Sequence, residues 1–203
     1  MSLHKSREAS RLPIAPLGNA RHDGVMATHY FTACSLDGFI ATSDHSLEWL
    51  LRQQVDEDGP MSYQGFEKSI GALAMGASTY EWLRRHEPDT WPYQQPTWVF
   101  THRDLLTPPG ADVRLTHADV SAVHAEMVAA AGDADVWVVG GGELAGQFAD
   151  AGLLDEVWVQ FAPVTLGAGR PLLPRALDLE LLDVARNCDF LCGRYGVRSR
   201  QGE

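Results

Sequence analysis

From Met26 onward the chain alternates short apolar runs with segments of helical period. "ATHYFTACS" (27–35) reads as a strand, and "SLEWLLRQ" (46–53) and "YQGFEKSI" (63–70) read as short helices. "GALAMG" (71–76) is a short buried strand, and "ASTYEWLRR" (77–85) opens a helix at once. "PTWVFTH" (96–102) and "ADVRLTH" (111–117) follow as strands, then "DVSAVHAEMVAAAG" (119–132) as a helix; His117 and His124, seven apart on that apparent helix, read as solvent-facing. "DVWVV" (135–139), "ELAGQFADAG" (143–152) and "DEVWVQFAPV" (155–164) give strand, helix and strand. The tail "LDVARNCDFLCGRYGVRSR" (182–200) divides into two strands joined near Cys192–Gly193. Strands alternating with helices predict an α/β fold: a mostly parallel sheet with helices on both faces and an antiparallel C-terminal edge. Residues 1–25 show no sustained period and no apolar core of a secretory signal, so the reading is a flexible N-terminal extension followed by one domain over 26–203.

Composition narrows the function. The 203 residues carry 16 Lys plus Arg against 27 Asp plus Glu, a formal charge of −11. Such a chain repels nucleic acid and acidic membranes, so any anion must be held by a local device. Three cysteines, Cys34, Cys188 and Cys192, suit a reducing cytoplasm better than a disulfide scaffold, and their spacing predicts no metal site.

Such devices stand at strand ends. "DVWVVGGGELAGQF" runs from a strand through Gly140, Gly141 and Gly142 into a helix that opens with Glu143 and Leu144. The first N–H groups of a helix are unpaired, its dipole favours an anion there, and glycine lets a phosphate approach the backbone. By this reading Gly140 makes the turn, and Gly141 and Gly142 leave room for a ligand. A bare strand-to-helix turn is the alternative. Gly140-x-Gly142-x-x-Ala145 fits a relaxed dinucleotide fingerprint, but the next strand ends in Gln160 and Phe161 instead of the acid that would bind ribose. "LAMGASTYEWL" repeats the pattern with Gly76, Ala77, Ser78 and Thr79, whose hydroxyls either cap the helix or bind phosphate. "WVFTHRD" sets Thr101, His102 and Arg103 at a strand's C-terminal end, where open α/β sheets bind ligands. Asp37 in "SLDGFI" either donates a proton or shapes a turn. Trp49, Trp82, Trp91 and Trp98 either stack on a flat substrate or, as the better reading, pack in the core. There is no Tyr-x-x-x-Lys pair and no Gly-x-Ser-x-Gly elbow.

"TACSLDGFIA", "MGASTYEWL", "VFTHR" and "VVGGGELAGQFADAGLLDEVWVQFAPVTLGAGRPLLP", in this order, resemble the dihydrofolate reductase-like superfamily. The likeness is closest to the C-terminal reductase domain of the bifunctional riboflavin-biosynthesis deaminase/reductase. It implies NADPH as cofactor. It implies that Gly76 to Thr79 and Gly140 to Leu144 flank the pyrophosphate, that Thr101, His102 and Arg103 hold the adenosine ribose and its 2′-phosphate, and that Ala33, Ile40 and Ala41 line the nicotinamide side. Aligning "HSLEWLL" with the pteridine-binding helix puts Ser46 where dihydrofolate reductases carry an acid, which disfavours folate. Ser46 and Trp49 become the candidate substrate contacts, and Asp37 and Ser46 the candidate catalytic groups. The segment that serves the ribose-phosphate substrate in the riboflavin reductases is replaced by "RRHEPDTWPYQQP", where Arg84, Arg85 and His86 are the available phosphate ligands. The expectation is a cytoplasmic NADPH-dependent reductase of a small polar heterocyclic, carbonyl or imine substrate. The alternative is a nucleotide-binding scaffold that has lost the substrate site. Apolar residues in 153–174 and 188–197 further imply a homodimer.

Overall fold

A computed structural model describes residues 26–198; the expected extension over residues 1–25 lies outside the described residues. The elements in chain order are β1 (Thr28–Ser35), β2 (Phe39–Ala41), α1 (Glu48–Leu51), α2 (Tyr63–Glu67), β3 (Ile70–Gly76), α3 (Ala77–His86), β4 (Thr97–Phe100), β5 (Val113–Thr116), α4 (Val120–Ala131), β6 (Asp135–Gly140), α5 (Gly142–Asp150), β7 (Glu156–Ala162), β8 (Arg170–Pro171), β9 (Leu179–Asn187) and β10 (Phe190–Val197). Eight strands form one sheet in the order β5-β4-β3-β6-β1-β7-β10-β9, and β2 pairs with β8 in a small second sheet. From β5 to β7 every pairing is parallel, while β10 runs antiparallel to both β7 and β9. The six parallel strands therefore all deliver their C-terminal ends to one edge.

Alternation within each strand builds two cores. Side chains on successive strand residues point to opposite faces. Tyr30, Ala72, Ala74, Val136 and Val138 pack with Val123 and Met127 of α4 and with Leu144 and Phe148 of α5. Their neighbours Phe31, Leu73 and Trp137 pack on the other face with Phe66 of α2. Met75 and Val99 meet Tyr80 of α3 on that second face. Central strands are thus apolar on both sides, as a covered parallel sheet requires.

Three details depart from the expectations. The C-terminal hairpin turns at Cys188, which has φ +47°, and not near Cys192–Gly193. Gly193 lies inside β10 because a Cβ there would sit 2.8 Å from the Tyr195 ring; it makes room for an aromatic ring and does not turn the chain. His117 precedes α4, and His124 is half-buried on it, with Nε2 2.8 Å from the Thr28 hydroxyl and an edge contact to Phe148. That histidine closes a gap between helix and sheet and does not face solvent.

At the sheet's opposite end four charged side chains are drawn inside. His29 lies 3.3 Å from Asp135 and 3.4 Å from Glu156, and Arg194 lies 3.6 Å from Glu156. Burial opposes protonation of His29, but hydrogen bonding and attraction to the two carboxylates outweigh it and raise its pKa to about 9. Burial likewise opposes ionisation of Asp135 and Glu156, yet their His29 contacts hold both below the ordinary carboxyl range. A histidine pKa raised on folding contributes stability that is complete below the unfolded value, 6.5, and is lost as pH rises through about 9. The unfolding free energy is expected to fall across that window by roughly 2–3 kcal/mol, with denaturation midpoints falling alongside, and His29→Gln to flatten the alkaline limb. Equal midpoints for the parent at the two ends of the window would rule this out.

Candidate active site

The edge where the parallel strands end gathers most of the residues singled out from the sequence. α3 and α5 both begin there, with Gly76 and Gly141 as N-caps and no side-chain cap hydrogen bond on either. Two other helices are capped by side chains, α2 by Ser62, which accepts from the Gly65 N–H, and α4 by Asp119, which accepts from the Ser121 N–H; the one-turn α1 shows no such cap. The two uncapped starts adjoin. A Cβ on Gly76 would lie 3.9 Å from both the Gly140 oxygen and the Gly141 nitrogen. Gly140 has φ +149°, a conformation closed to other residues, and a Cβ there would lie 3.4 Å from the Thr79 hydroxyl. A Cβ on Gly141 would meet only Ile40, at 3.6 Å. The result is a backbone cradle walled by Ile40 and Thr79, with two sets of unpaired N–H groups beside it.

Gly142 does something different from what its pattern suggested. It is buried as the first residue of α5, and a Cβ on it would run into the carbonyl oxygens of Pro171 and Leu172. Its bareness admits the 171–172 backbone, not a ligand. The Tyr30 hydroxyl donates to the Leu172 carbonyl at 3.0 Å and holds that crossing in place. Leu144 is buried in the core, so only its backbone is available to the cradle. Glu143 points outward and pairs with Arg175 at 2.7 Å, while the Arg175 Nε reaches Asp150 at 2.6 Å. Hydrogen bonding from Arg175 lowers the Glu143 pKa, so the acid is an ionised clamp for the 171–175 segment.

Beyond the cradle, Thr101 extends the β4–β5 pairing by donating its N–H to the Thr116 carbonyl, and its hydroxyl accepts from the Arg103 N–H. His102 and His117 stand ring to ring at 6.1 Å. Arg103 is exposed but engaged, with its guanidinium 2.7 Å from Glu81 of α3. The sequence reading did not single out Glu81.

On the other side, Asp37 shapes the loop after β1. Its carboxylate accepts from the Ser35 hydroxyl at 2.6 Å and from the Leu166 and Gly167 N–H groups. Those bonds, the Ser35 one foremost, hold it below the ordinary carboxyl range. Ala41 is buried, and Ala33 packs against the cluster around Trp49. Trp49 itself lies in that core with Ala162, Phe190 and Cys192, and its indole nitrogen has no hydrogen-bond partner among the described residues. Ser46 is placed at the mouth of a cleft of about 240 Å³ between the α1 loop and α3, lined also by His45, Trp82, Arg85 and His86. Trp82, whose better sequence reading was core packing, is half-exposed and stacks on His86 at 3.9 Å. Arg84 donates to the Pro88, Glu87 and Thr90 carbonyls and closes the next loop, which leaves Arg85 and His86 to the cleft. Arg170 enters from β8, 2.8 Å from the His45 Nε2. Among the described residues no group of three or more His, Cys, Asp or Glu is placed to hold a metal, and no helix is long and apolar enough to cross a membrane.

The sequence profile of the RibD C-terminal domain family matches residues 28–188, which contain the cradle, the cleft and seven of the eight strands of the main sheet in full. The chain belongs to the RibD C-terminal domain family. It is 32% identical over 151 residues to YwjB of Bacillus subtilis (strain 168), an uncharacterized protein, covering 71% of this chain and 81% of that one. A Shewanella sp. PV-4 structure whose name associates it with riboflavin biosynthesis superposes with a TM-score of 0.73 at 26% identity, covering 86% of this chain and all of that one. The Thermotoga maritima diaminohydroxyphosphoribosylaminopyrimidine deaminase/5-amino-6-(5-phosphoribosylamino)uracil reductase shares the fold at a TM-score of 0.61 and 16% identity, over 85% of this chain and 57% of that one. The mostly parallel sheet with its antiparallel C-terminal strands is the architecture of these RibD-like relatives.

Gly141 and Gly142 are expected to separate in mutagenesis. Gly142→Ala forces helix and 171–172 segment apart and should cost about 1–3 kcal/mol of stability, whereas Gly141→Ala should stay within about 1 kcal/mol of the parent. Urea denaturation of the two variants checks this; equal losses would show that the crossing does not depend on Gly142.

Proposed function

We propose that this RibD C-terminal domain protein is an NADPH-dependent reductase of a small polar heterocyclic or carbonyl- or imine-bearing substrate, akin to 5-amino-6-(5-phosphoribosylamino)uracil reductase. The observation that carries the reading is the pair of adjoining, uncapped helix starts at Gly76 and Gly141. In an acidic chain, two helix dipoles and their free N–H groups are a suitable local device for a pyrophosphate. The bare Gly141 position and the Thr79 hydroxyl fit such a group, and Arg103 with His102 offers polar contacts for a phosphorylated ribose. Bound there, NADPH supplies the hydride. Ile40 and Ala41 wall the reacting side against water. Ser46, Trp82, Arg85 and His86 form the substrate cleft, with the Trp82 ring as a flat apolar wall and Arg85 as a cation for an anionic substituent.

One observation favours the second reading, a nucleotide-binding protein without turnover. Asp37, in the loop after β1, and Asp44, which lines the cleft, are held ionised chiefly by hydroxyl donors, from Ser35 and Thr42, so neither is poised as a proton donor. Steady oxidation of NADPH with a panel of carbonyl and imine compounds separates the two readings.

Calorimetry is expected to show NADPH binding at least about tenfold tighter than NADH, or about 1.4 kcal/mol. Arg103→Ala should remove most of that preference and spare NADH. Gly141→Val should abolish the NADPH-induced rise in melting temperature while the protein still folds. A Gly141→Val variant that keeps the full NADPH shift would refute the cradle.

We also propose that the protein is a homodimer through its C-terminal sheet edge. Leu179, Leu181 and Val184 of β9 and Leu191 of β10 are exposed large apolar side chains. They adjoin an apolar groove of about 320 Å³ lined by Val157, Val159, Phe161, Leu177 and Tyr195. An apolar edge strand of this length is normally covered. Light scattering at micromolar concentration should give a dimer mass for the parent and a monomer mass for the double variant Leu181→Asp, Leu191→Asp. A monomeric parent would overturn the assignment.

A further inference from the structure

Arg103 is the cation closest to hand for a 2′-phosphate, yet it does not stand alone. Glu81 sits on α3 one turn after the uncapped start at Ala77–Ser78, and its carboxylate takes a 2.7 Å ion pair from the Arg103 guanidinium. Asp104 follows Arg103 directly and is exposed. The guanidinium is thus paired with the Glu81 carboxylate and followed in the chain by a second acid, in a protein whose formal charge is already −11. A phosphate monoester brings about 1.5 to 2 negative charges to that spot. The pair uses one Nη of Arg103 and leaves the other side-chain N–H groups without a partner among the described residues, so a phosphate can bind without breaking the bond to Glu81. It then meets a guanidinium whose charge is already compensated, with a carboxylate on the far side.

We propose that Glu81 is a specificity-determining residue that acts through Arg103, limiting the preference for a 2′-phosphorylated dinucleotide over its unphosphorylated counterpart. The inference rests on the reading of this edge as a dinucleotide site. Repulsion across the width of a guanidinium in a solvent-exposed setting is modest and screened by salt. It acts on the 2′-phosphate and leaves a ribose hydroxyl almost untouched, so it appears in the ratio of the two affinities and not in both. A merely structural role for the ion pair would weaken both ligands together.

Calorimetric titration of NADPH, NADH, 2′,5′-ADP and 5′-AMP into the full chain tests this. Glu81→Gln should tighten NADPH and 2′,5′-ADP about fivefold and leave NADH and 5′-AMP within about twofold. The gain should vanish in the Arg103→Gln background, shrink in about 0.5 M salt, and be absent in Glu81→Asp, which keeps the charge. An unchanged or lowered NADPH-to-NADH ratio in Glu81→Gln, with NADPH still bound by the parent, overturns the role of Glu81 and leaves the cofactor reading standing. No binding of either dinucleotide by the parent overturns the cofactor reading and this inference with it.

Discussion

At the start of α5 a helix backbone and the extended segment 171–172 lie in direct contact, a closeness that only a residue without a Cβ permits, and Gly142 is that residue. The rest of the edge follows from this crossing. β8 pairs with β2 where the chain passes over α5, an approach that also needs the bare Gly169 against the Ala41 carbonyl, and Leu172 donates its N–H to the Gly38 carbonyl on the way. That pairing fixes Phe39–Ala41 and so brings Ile40 over Gly141. From the other side Arg175 bridges Glu143 and Asp150 along α5 and fastens the segment to the helix. Fixed in this way from both directions, the start of α5 is a rigid element, and rigid placement of N–H donors is what anion binding at a helix start needs.

The distribution of charge follows the same economy. In a chain with a formal charge of −11, backbone adds positive potential at this edge: α3 and α5 start there without side-chain caps, whereas α2 and α4 are capped by Ser62 and Asp119. Guanidinium groups around the site are mostly committed. Arg84 closes a loop, Arg175 clamps a segment, Arg103 is paired with Glu81, and Arg170 lies against His45. Arg85, in the cleft beside Ser46, is the cation that no such contact engages among the described residues. At the opposite end of the sheet, His29, Asp135, Glu156 and Arg194 compensate one another in the interior, away from the cradle.

Local pattern made the sheet legible. Alternation such as Tyr30 against Phe31, or Val136 and Val138 against Trp137, is written in consecutive residues and is what assigns each strand two buried faces. The Gly76 and Gly140 junctions were legible for the same reason, since strand, glycine and helix follow without a break. What sequence reasoning missed depends on residues far apart. Gly142 is glycine because of Pro171 and Leu172, and Gly193 because of the Tyr195 ring, so neither reveals its purpose to a motif. Trp49, for which core packing was the better reading, is fixed there by Phe190 and Cys192 of the distant β10, so its part as a substrate contact was the portion the sequence could not weigh. Glu81 on α3 and Arg103 in the loop after β4 are 22 positions apart, and nothing in either neighbourhood announces the pair. The two-residue β8 carries no periodicity at all; it exists because the crossing delivers it to β2.

The acid beside the three glycines illustrates how a helix start can serve two masters. A carboxylate in the first turn is favoured by the dipole, and the same dipole favours the phosphate, so the two compete if they share a direction. They do not. Side chains in the first turn radiate from the axis, whereas the N–H groups run along it. Glu143 leaves the axis toward Arg175 and spends its charge on a cation that also holds the 171–175 segment down. The N–H groups near Gly141 remain along the axis, uncapped. Ser, Asp or Asn at the N-cap would accept those N–H groups with its own side chain. Glycine at that position, with the acid two residues later, keeps the donors open while the helix retains a favourable charge. Open N–H donors and a stable helix end are therefore compatible at this junction because the stabilising carboxylate and the donors point in different directions.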